Sequence, residues 1–518
     1  MFIATSRSIN EIDTYAERTL GISTRTLMGR AGEAVAEAVR ALIPSGRVLI
    51  LAGKGNNGGD GYAAALSLHP SHEVAVYDVF DGGQRSEAGQ YYLSECEREN
   101  ISVLRGAPSA ELLNRADIIV DAIFGTGYSG ELKDTLRDLA CSINESPARV
   151  VAVDLPLGVD GDLGECDVSS VRADITVALC LPKPAHLSYP ARELMGELVI
   201  SSLGLSRSDL LAATKLTYTS LDDKSALSFL PKRENTANKG SFGKVLHVTG
   251  SPKYRGAAHL ALEASLRSGV GITAHLDFSS AIPKSASTLC QGNTLTEELR
   301  LKFPEAIYEN IPADKDPLEH ICALSQKYTA TLVGSGSHKS YELYTLVKAL
   351  LSTEGGALIL DADAINSIAE YGDLSDLKSA RRAVVLTPHP KEFSRLSGLS
   401  VEYINSHRLR CAENFAREQR VTLLLKGAGT VITDGDVTYI NSSGSTALAK
   451  GGSGDVLAGL TASLSAQISS PIAAAALAAY LHGKAADKLS ESLSDFGVTP
   501  SDLPTELAKQ IKRLSSLE

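Results

Sequence analysis

Residues 48–63, VLILAGKGNNGGDGYA, set two asparagines and an aspartate among glycines directly after an apolar run. Glycines permit close backbone approach, and a helix start offers free N–H groups to an anion. The sequence places that start near Asp60. Asn and Asp side chains add hard oxygen atoms, which suit a cation. The loop is not a P-loop, since no Gly-Lys-Ser/Thr follows, and it is not a Gly-x-Gly-x-x-Gly fingerprint. Alone it is weak, because Asn and Asp also cap turns. Two more apolar runs end in the same manner, at Asp121 before AIFGTGYSGE and at Asp154 in VDLPLGVDGDLG. Ligands of open α/β sheets bind beyond the carboxyl ends of the strands, so three such ends together point to a polar site. Within it, Asn57 and Asp121 offer oxygen ligands to a monovalent or divalent cation.

A second set of residues lies beyond position 238: NKGSFGKVLHVTGSPKYRGAA (238–258), LDADAINSIA (360–369), TPHPKE (387–392), KGAGTVITDG (426–435) and AKGGSGDVLAGLTASL (449–464). Gly451, Gly452 and Gly454 form a turn whose N–H groups can line an oxyanion pocket. Asp455 follows in the first turn of a helix, where the dipole favours its charged form. A carboxylate beside an anion pocket can take a hydroxyl proton while a phosphoryl group arrives. A lone Gly-x-Gly-Asp also reads as a helix cap; the KGAGT upstream favours phosphoryl transfer.

The elements that must carry these residues are alternating strands and helices. Candidate strands in the first part are 48–51, 74–80, 117–124, 150–156, 174–180 and 197–202. Their continuous apolar character fits a parallel sheet covered on both faces. Polar residues between 204 and 240 break the rhythm and put a boundary near 215–225. The alternation then resumes at 244–250, 272–278, 330–336, 357–365, 383–390 and 422–432. Two different α/β domains in series, 1–215 and 216–518, are expected.

Bulk composition narrows the function. Of the 518 residues, 43% are hydrophobic and 21% charged, which supports a normal globular core. A formal net charge of −11 disfavours nucleic acid and anionic membranes as partners. The seven cysteines form no Cys-x-x-Cys pair, which suits reduced thiols in the cytoplasm. No secretory signal is visible at the N-terminus, and the longest apolar stretch, 471–481, is too short to span a bilayer and reads as a buried helix.

The first set of motifs, KGNNGGDG, DAIFGTGYSGE and VDLP with its following Gly and Asp, resembles the NAD(P)H-hydrate epimerase domain over about residues 1–210. The resemblance implies a Rossmann-like α/β/α sandwich that interconverts the R and S epimers of hydrated NADH and NADPH (NADHX and NADPHX) around potassium. It implies that Asn56, Asn57, Gly58, Gly59 and Asp60 contact substrate, with Asn57 and Asp121 ligating K+. Gly125, Thr126, Gly127, Tyr128, Ser129, Gly130 and Glu131 would cradle the substrate; Asp154 would bind it and act in catalysis, with Lys183 as a charge partner. The proton transfers of epimerisation make Asp154 the natural acid–base group. One departure matters: Leu157 stands where the family pattern has a serine whose hydroxyl helps hold potassium. Backbone carbonyls can still coordinate the ion, and weakened potassium binding or an impaired epimerase is the expectation.

The second set resembles the ADP-dependent NAD(P)H-hydrate dehydratase of the ribokinase-like superfamily over about residues 225–510. The resemblance implies that ADP, or ATP, phosphorylates the hydrate and that phosphate elimination restores NAD(P)H, with Mg2+. Lys426, Gly427, Ala428, Gly429, Thr430 and Gly454 would bind nucleotide; Ala257, Gly336 and His389 would bind the hydrate; Asp455 would contact it and be the base. Asp361 and Asp363 would line the site through magnesium and water, or cap turns. Lys391 and the run Gly334-Ser335-Gly336-Ser337-His338 depart from the family pattern without removing KGAGT or GGSGD. The partners expected are these small molecules and further copies of the chain. The rivals are a ribokinase-like small-molecule kinase and an N-terminal half that binds without catalysing.

Overall fold

The computed structural model describes residues 1–80, 85–278 and 294–517. The chain forms two compact units: Phe2–Thr219 with Asn405–Leu409, and Ser220–Ile404 with Arg410–Glu518 and Met1.

The first unit holds a seven-stranded sheet in the order Ser102–Arg105, Glu73–Asp78, Arg47–Ala52, Ile118–Ala122, Arg149–Val153, Ile175–Leu179 and Glu197–Ser201. Every adjacent pair runs parallel. The apolar strands are buried on both faces, as their composition requires. Val48, Ile50 and Ala52 pack with helices Thr24–Leu42 and Asn56–Leu68, while Leu49 and Leu51 pack with Asp134–Glu145 on the other face. The strand order reverses between Arg47–Ala52 and Ile118–Ala122, which pair with Leu51 opposite Asp121. That reversal opens a crevice at the strands' carboxyl ends, where such sheets take ligands. The edge strand Ser102–Arg105 is short and mostly exposed, so it lacks the apolar run that marks the others in the sequence.

The second unit's sheet runs Thr438–Ile440, Val431–Thr433, Thr422–Leu425, Val384–Leu386, Ala357–Leu360, Ala330–Val333, Lys244–Val248, Ile272–Leu276 and Ile307–Glu309. The stretch 422–432, expected as one strand, is two antiparallel strands with KGAG as the turn between them. Gly427 and Gly429 take positive φ of 144° and 59°, a reversal that an L-residue resists. Helix Pro471–Gly497 is buried from Ala473 to Ala486 apart from Lys484, and it packs on helix Ser453–Ser465. Among the described residues no helix is long and apolar enough to cross a membrane. The six described cysteines are free thiols; Cys290 lies outside the described residues.

Candidate functional sites

In the first unit, strand Arg47–Ala52 passes through Gly53 and Lys54 into helix Asn56–Leu68, whose N-cap is Gly55. The helix therefore starts four residues before Asp60, and both asparagines sit in its first turn. The glycines let it lie directly on the strand ends: a Cβ at Gly58 would overlap the Gly53 carbonyl, and one at Gly59 would meet the Met28 side chain. Gly58 and Gly59 thus serve the close packing.

Asn57 is buried, and its Nδ2 donates to the Phe124 carbonyl at 2.8 Å. The amide is thereby pinned, with Oδ1 left as an acceptor beside Gly125. Asp121 is fully buried and accepts from the Leu157 N–H at 2.7 Å and the Ile123 N–H at 3.2 Å. No cationic side chain among the described residues pairs with it, and burial pushes its carboxyl up to about 6. A buried carboxylate without a cationic partner among the described residues and an amide oxygen left as acceptor are oxygen donors of the kind a bound cation takes. Leu157 turns its side chain into the apolar cluster of Ile123, Leu132, Leu136 and Val171, so only its main chain reaches Asp121.

Asp154 follows strand Arg149–Val153 with a positive φ of 64°. Its carboxylate accepts from the Leu179 N–H at 3.1 Å and pairs with Lys183, whose ammonium also donates to the Leu179 carbonyl at 2.8 Å. Both ionic groups are buried. His186 completes the arrangement. Its Nδ1 accepts from the Lys183 N–H at 2.8 Å, and its Nε2–H donates to the Asp154 carbonyl at 2.6 Å. Burial pushes this histidine down to about 4, so it stays neutral and acts as a strut.

A cleft of about 440 Å³ brings together Asn56, Asn57, Asp60, Gly125, Thr126, Gly127, Tyr128, Asp154 and Lys183. Its lining omits Gly58, Gly59 and Asp121, which are buried, and Ser129, Gly130 and Glu131, which are exposed. Burial and the charges of Asp154 and Asp13 raise Asp60 well above the carboxylate range, against the pull of Lys183. Phe124 and Tyr128 stack with ring centroids 5.0 Å apart at the cleft wall. Sequence reasoning missed Asp13, Lys54 and Phe124, which also line it. Asp13 carried a signal: it lies one position off the stripe Ser8, Ile12, Ala16 that buries helix Ser6–Arg18.

In the second unit the expected residues form a connected series. Gly336 faces Ala257 so closely that a Cβ on the glycine would stand 2.6 Å from the alanine's. The adjacent Ser335 hydroxyl donates to Asp361 at 2.8 Å. Asp361 also accepts from Thr387 Oγ1 at 2.7 Å and from Lys426 Nζ at 3.0 Å. Lys426 lies 3.8 Å from Glu392, which accepts from the His389 N–H at 2.9 Å. His389 caps helix Pro390–Ser397, its Nδ1 accepting from the N–H groups of Lys391 and Glu392 at 3.1 and 3.3 Å. Its Nε2 lies 3.2 Å from Glu392 Oε1. Lys391 itself is exposed. Asp363 accepts from the His338 N–H at 2.9 Å.

The Gly-Asp turn meets this series at Lys426, whose Nζ lies 3.4 Å from where a Gly454 Cβ would stand. Gly452, with φ of 108°, caps helix Ser453–Ser465, so Asp455 is in the first turn and is not the cap. Burial, with the nearby charge of Asp361, pushes Asp455 up to about 7 despite Lys426. Lys426 is raised: burial opposes its charge, but Asp361 and Glu392 outweigh that penalty. The geometry sets a carboxylate near neutral balance beside an ammonium, a glycine turn and a helix N-terminus. That arrangement can hold phosphates and move a hydroxyl proton.

Two family models match the chain: NAD(P)H-hydrate dehydratase over residues 245–513 and YjeF-related protein N-terminus over residues 24–185. A bifunctional NAD(P)H-hydrate repair enzyme Nnr from Moorella thermoacetica is 34% identical, with 97% of this chain and 95% of that protein covered. The protein of the same name from Coxiella burnetii is 34% identical, with coverages of 96% and 97%. A solved ADP/ATP-dependent NAD(P)H-hydrate dehydratase from Bacillus subtilis, co-crystallized with ATP/Mg2+, is 27% identical with a TM-score of 0.48, covering 57% of this chain and 97% of its own. The chain belongs to the family of bifunctional NAD(P)H-hydrate repair enzymes.

Proposed function

We propose that this chain repairs hydrated nicotinamide nucleotides in the cytoplasm, epimerising R- and S-NAD(P)HX in residues 1–215 and dehydrating the S epimer in residues 216–518. The observation that carries the reading is the Asp455 site: a carboxylate lifted to about 7 beside Lys426 and the Gly454 turn. It is joined in one chain to a separate acidic cleft built on Asp154 and Lys183.

In the dehydratase, Lys426 and the N–H groups of residues 428–430 hold the phosphates of ADP or ATP, with Gly427 and Gly454 beside them. Asp455 takes the hydrate's hydroxyl proton as that oxygen attacks the terminal phosphorus. With ADP, AMP leaves. Phosphate then departs with the carbon–oxygen bond, the neighbouring carbon loses a proton, and the double bond of NAD(P)H returns. Ala257, Gly336 and His389 orient the hydrate. Asp363 and Asp455 would face Mg2+ brought in with the nucleotide, and the ion would neutralise phosphate charge.

In the epimerase, Asn56, Asn57, Asp60, Gly125, Thr126, Gly127 and Tyr128 hold the substrate, and Asp154 moves a proton of the oxygen that leaves or joins the hydroxylated ring carbon. Asn57 Oδ1 and Asp121 would hold K+, which supplies positive charge in the buried crevice. The test follows the return of NAD(P)H absorbance from a mixture of both hydrates with ADP or ATP, magnesium and potassium. Rapid complete recovery supports both activities. Recovery that stops after the S epimer and then creeps at the spontaneous rate restricts this chain to dehydration. No recovery, with a stable phosphate ester formed on another substrate, replaces the reading with a small-molecule kinase.

A further inference from the structure

The cleft of the first unit carries three carboxylates, Asp13, Asp60 and Asp154, and two lysines. Lys54 stands over the Phe80 ring with Nζ 5.8 Å from its centroid. Lys183 is bound to Asp154 and to the Leu179 carbonyl. Asp13 arrives from a different element, helix Ser6–Arg18, whose buried stripe Ser8, Ile12 and Ala16 anchors it. Asp13 lies within the fields of Lys183 and Asp154, yet no hydrogen bond or ion pair from the described residues occupies its carboxylate. A half-buried carboxylate that no described residue partners, lining the same cleft as Asp154, has a ligand proton as its natural partner.

We propose that Asp13 is a second catalytic acid–base group of the epimerisation, working from the helix wall while Asp154 works from the sheet wall. This rests on the epimerase reading of the cleft.

Two carboxyl groups in unlike environments divide acid and base roles. Asp154 has the Lys183 ammonium to support its negative charge. Asp13 has no such contact, and burial raises it above the ordinary carboxylate value, with Asp154 adding to the rise and Lys183 opposing it. Protonated Asp13 gives its proton to the leaving hydroxyl. The carbon–oxygen bond breaks with its electron pair going to oxygen, and water leaves as the ring nitrogen's lone pair forms a C=N bond. A water then adds to the opposite face of that carbon, the nitrogen recovers its pair, and the water's proton passes to Asp154. Transfer of one proton from Asp154 back to Asp13 through cleft water resets the pair. No oxidant or reductant is needed. The other titratable groups acting on Asp13 are Asp60, from helix Asn56–Leu68, and the Cys180 thiol just after strand Ile175–Leu179; Lys54 lines the same cleft.

The test uses the full-length protein, R-hydrate and excess ADP, so that the second unit reports each S-hydrate formed. Asp13→Asn should lower kcat for R-to-S conversion about 100-fold while KM stays within about threefold. Dehydration of supplied S-hydrate should be unchanged. In the wild type, epimerisation should decline as pH rises through the elevated value of Asp13. Asp13→Asn should lack that decline, and Asp13→Glu should restore both the decline and a rate within about tenfold of wild type. An Asp13→Asn rate within about threefold of wild type, the same declining limb in that variant, or an Asp13→Glu as inactive as Asp13→Asn overturns the role of Asp13 alone. A wild type that dehydrates S-hydrate but leaves R-hydrate at its spontaneous rate overturns the epimerase reading and the proposal with it.

Discussion

Replacing Leu157 with serine tests how the cation site of this chain is built. The leucine side chain is fully buried among Ile123, Leu132, Leu136 and Val171, while its N–H holds Asp121. The substitution removes about three buried carbon groups, which at about 0.8 kcal/mol each costs about 2.4 kcal/mol before any cavity is counted. A hydroxyl left without a partner adds roughly 1–3 kcal/mol. The expected loss without potassium is about 4 kcal/mol, falling to about 2–3 kcal/mol if potassium engages the hydroxyl. Hydrogen exchange read by mass spectrometry on peptides covering Ile118–Ala122 and Arg149–Val153 isolates this unit from the other. A loss of 4 kcal/mol corresponds to exchange about 1,000-fold faster than in the wild type. Potassium should slow exchange more in Leu157→Ser than in the wild type, by about tenfold or more. Exchange within about tenfold of wild type in potassium-free buffer would refute the packing argument. Equal slowing by potassium in both proteins would refute the idea that a hydroxyl at this position reaches the ion.

Three further outcomes are expected. The dehydratase kcat/KM should fall as pH drops below about 7, because Asp455 acts in its ionised form and is pushed up to about 7; Asp455→Asn should be inactive at every pH while still binding ADP in a calorimetric titration. Lys426→Met removes the cation that serves buried Asp361 and Glu392; it should destabilise the second unit by about 3–5 kcal/mol and weaken ADP binding, read by thermal unfolding with and without ADP. Gly58→Ala drives a Cβ into the Gly53 carbonyl and lifts helix Asn56–Leu68 from the strand ends; it should cost about 1–3 kcal/mol and depress epimerisation while dehydration persists, seen by assaying the two reactions side by side.

Family membership and the α/β layering were legible in the chain itself. A strand buried on both faces is apolar at most positions, so VLIL and its counterparts announce themselves, and a glycine turn before a helix keeps its spelling in any context. The residues of KGNNGGDG, KGAGT and GGSGD could be read for the same reason: close approach to a ligand or to another backbone constrains residue type locally. Local pattern failed where glycine is ambiguous. The run Asn56–Gly59 reads as loop before a helix near Asp60, yet the close seat of Gly58 on Gly53 makes it helix. KGAG was folded into one long strand because its flanks are equally apolar, and only pairing reveals the hairpin.

What the sequence alone determined was which residues could bind phosphate, carry a proton or offer hard oxygen. Tertiary structure alone decided their partners and charge. It committed Lys183 to Asp154 and left Asp13 in the cleft with no partner among the described residues. It made His389 a helix cap as well as a site neighbour, raised Asp455 by burial, and turned Leu157 into the core while aiming its N–H at Asp121. The reason is physical: residue type and short-range spacing are written along the chain, whereas burial, electric field and hydrogen-bond partners arise from segments far apart in sequence and exist only once those segments pack.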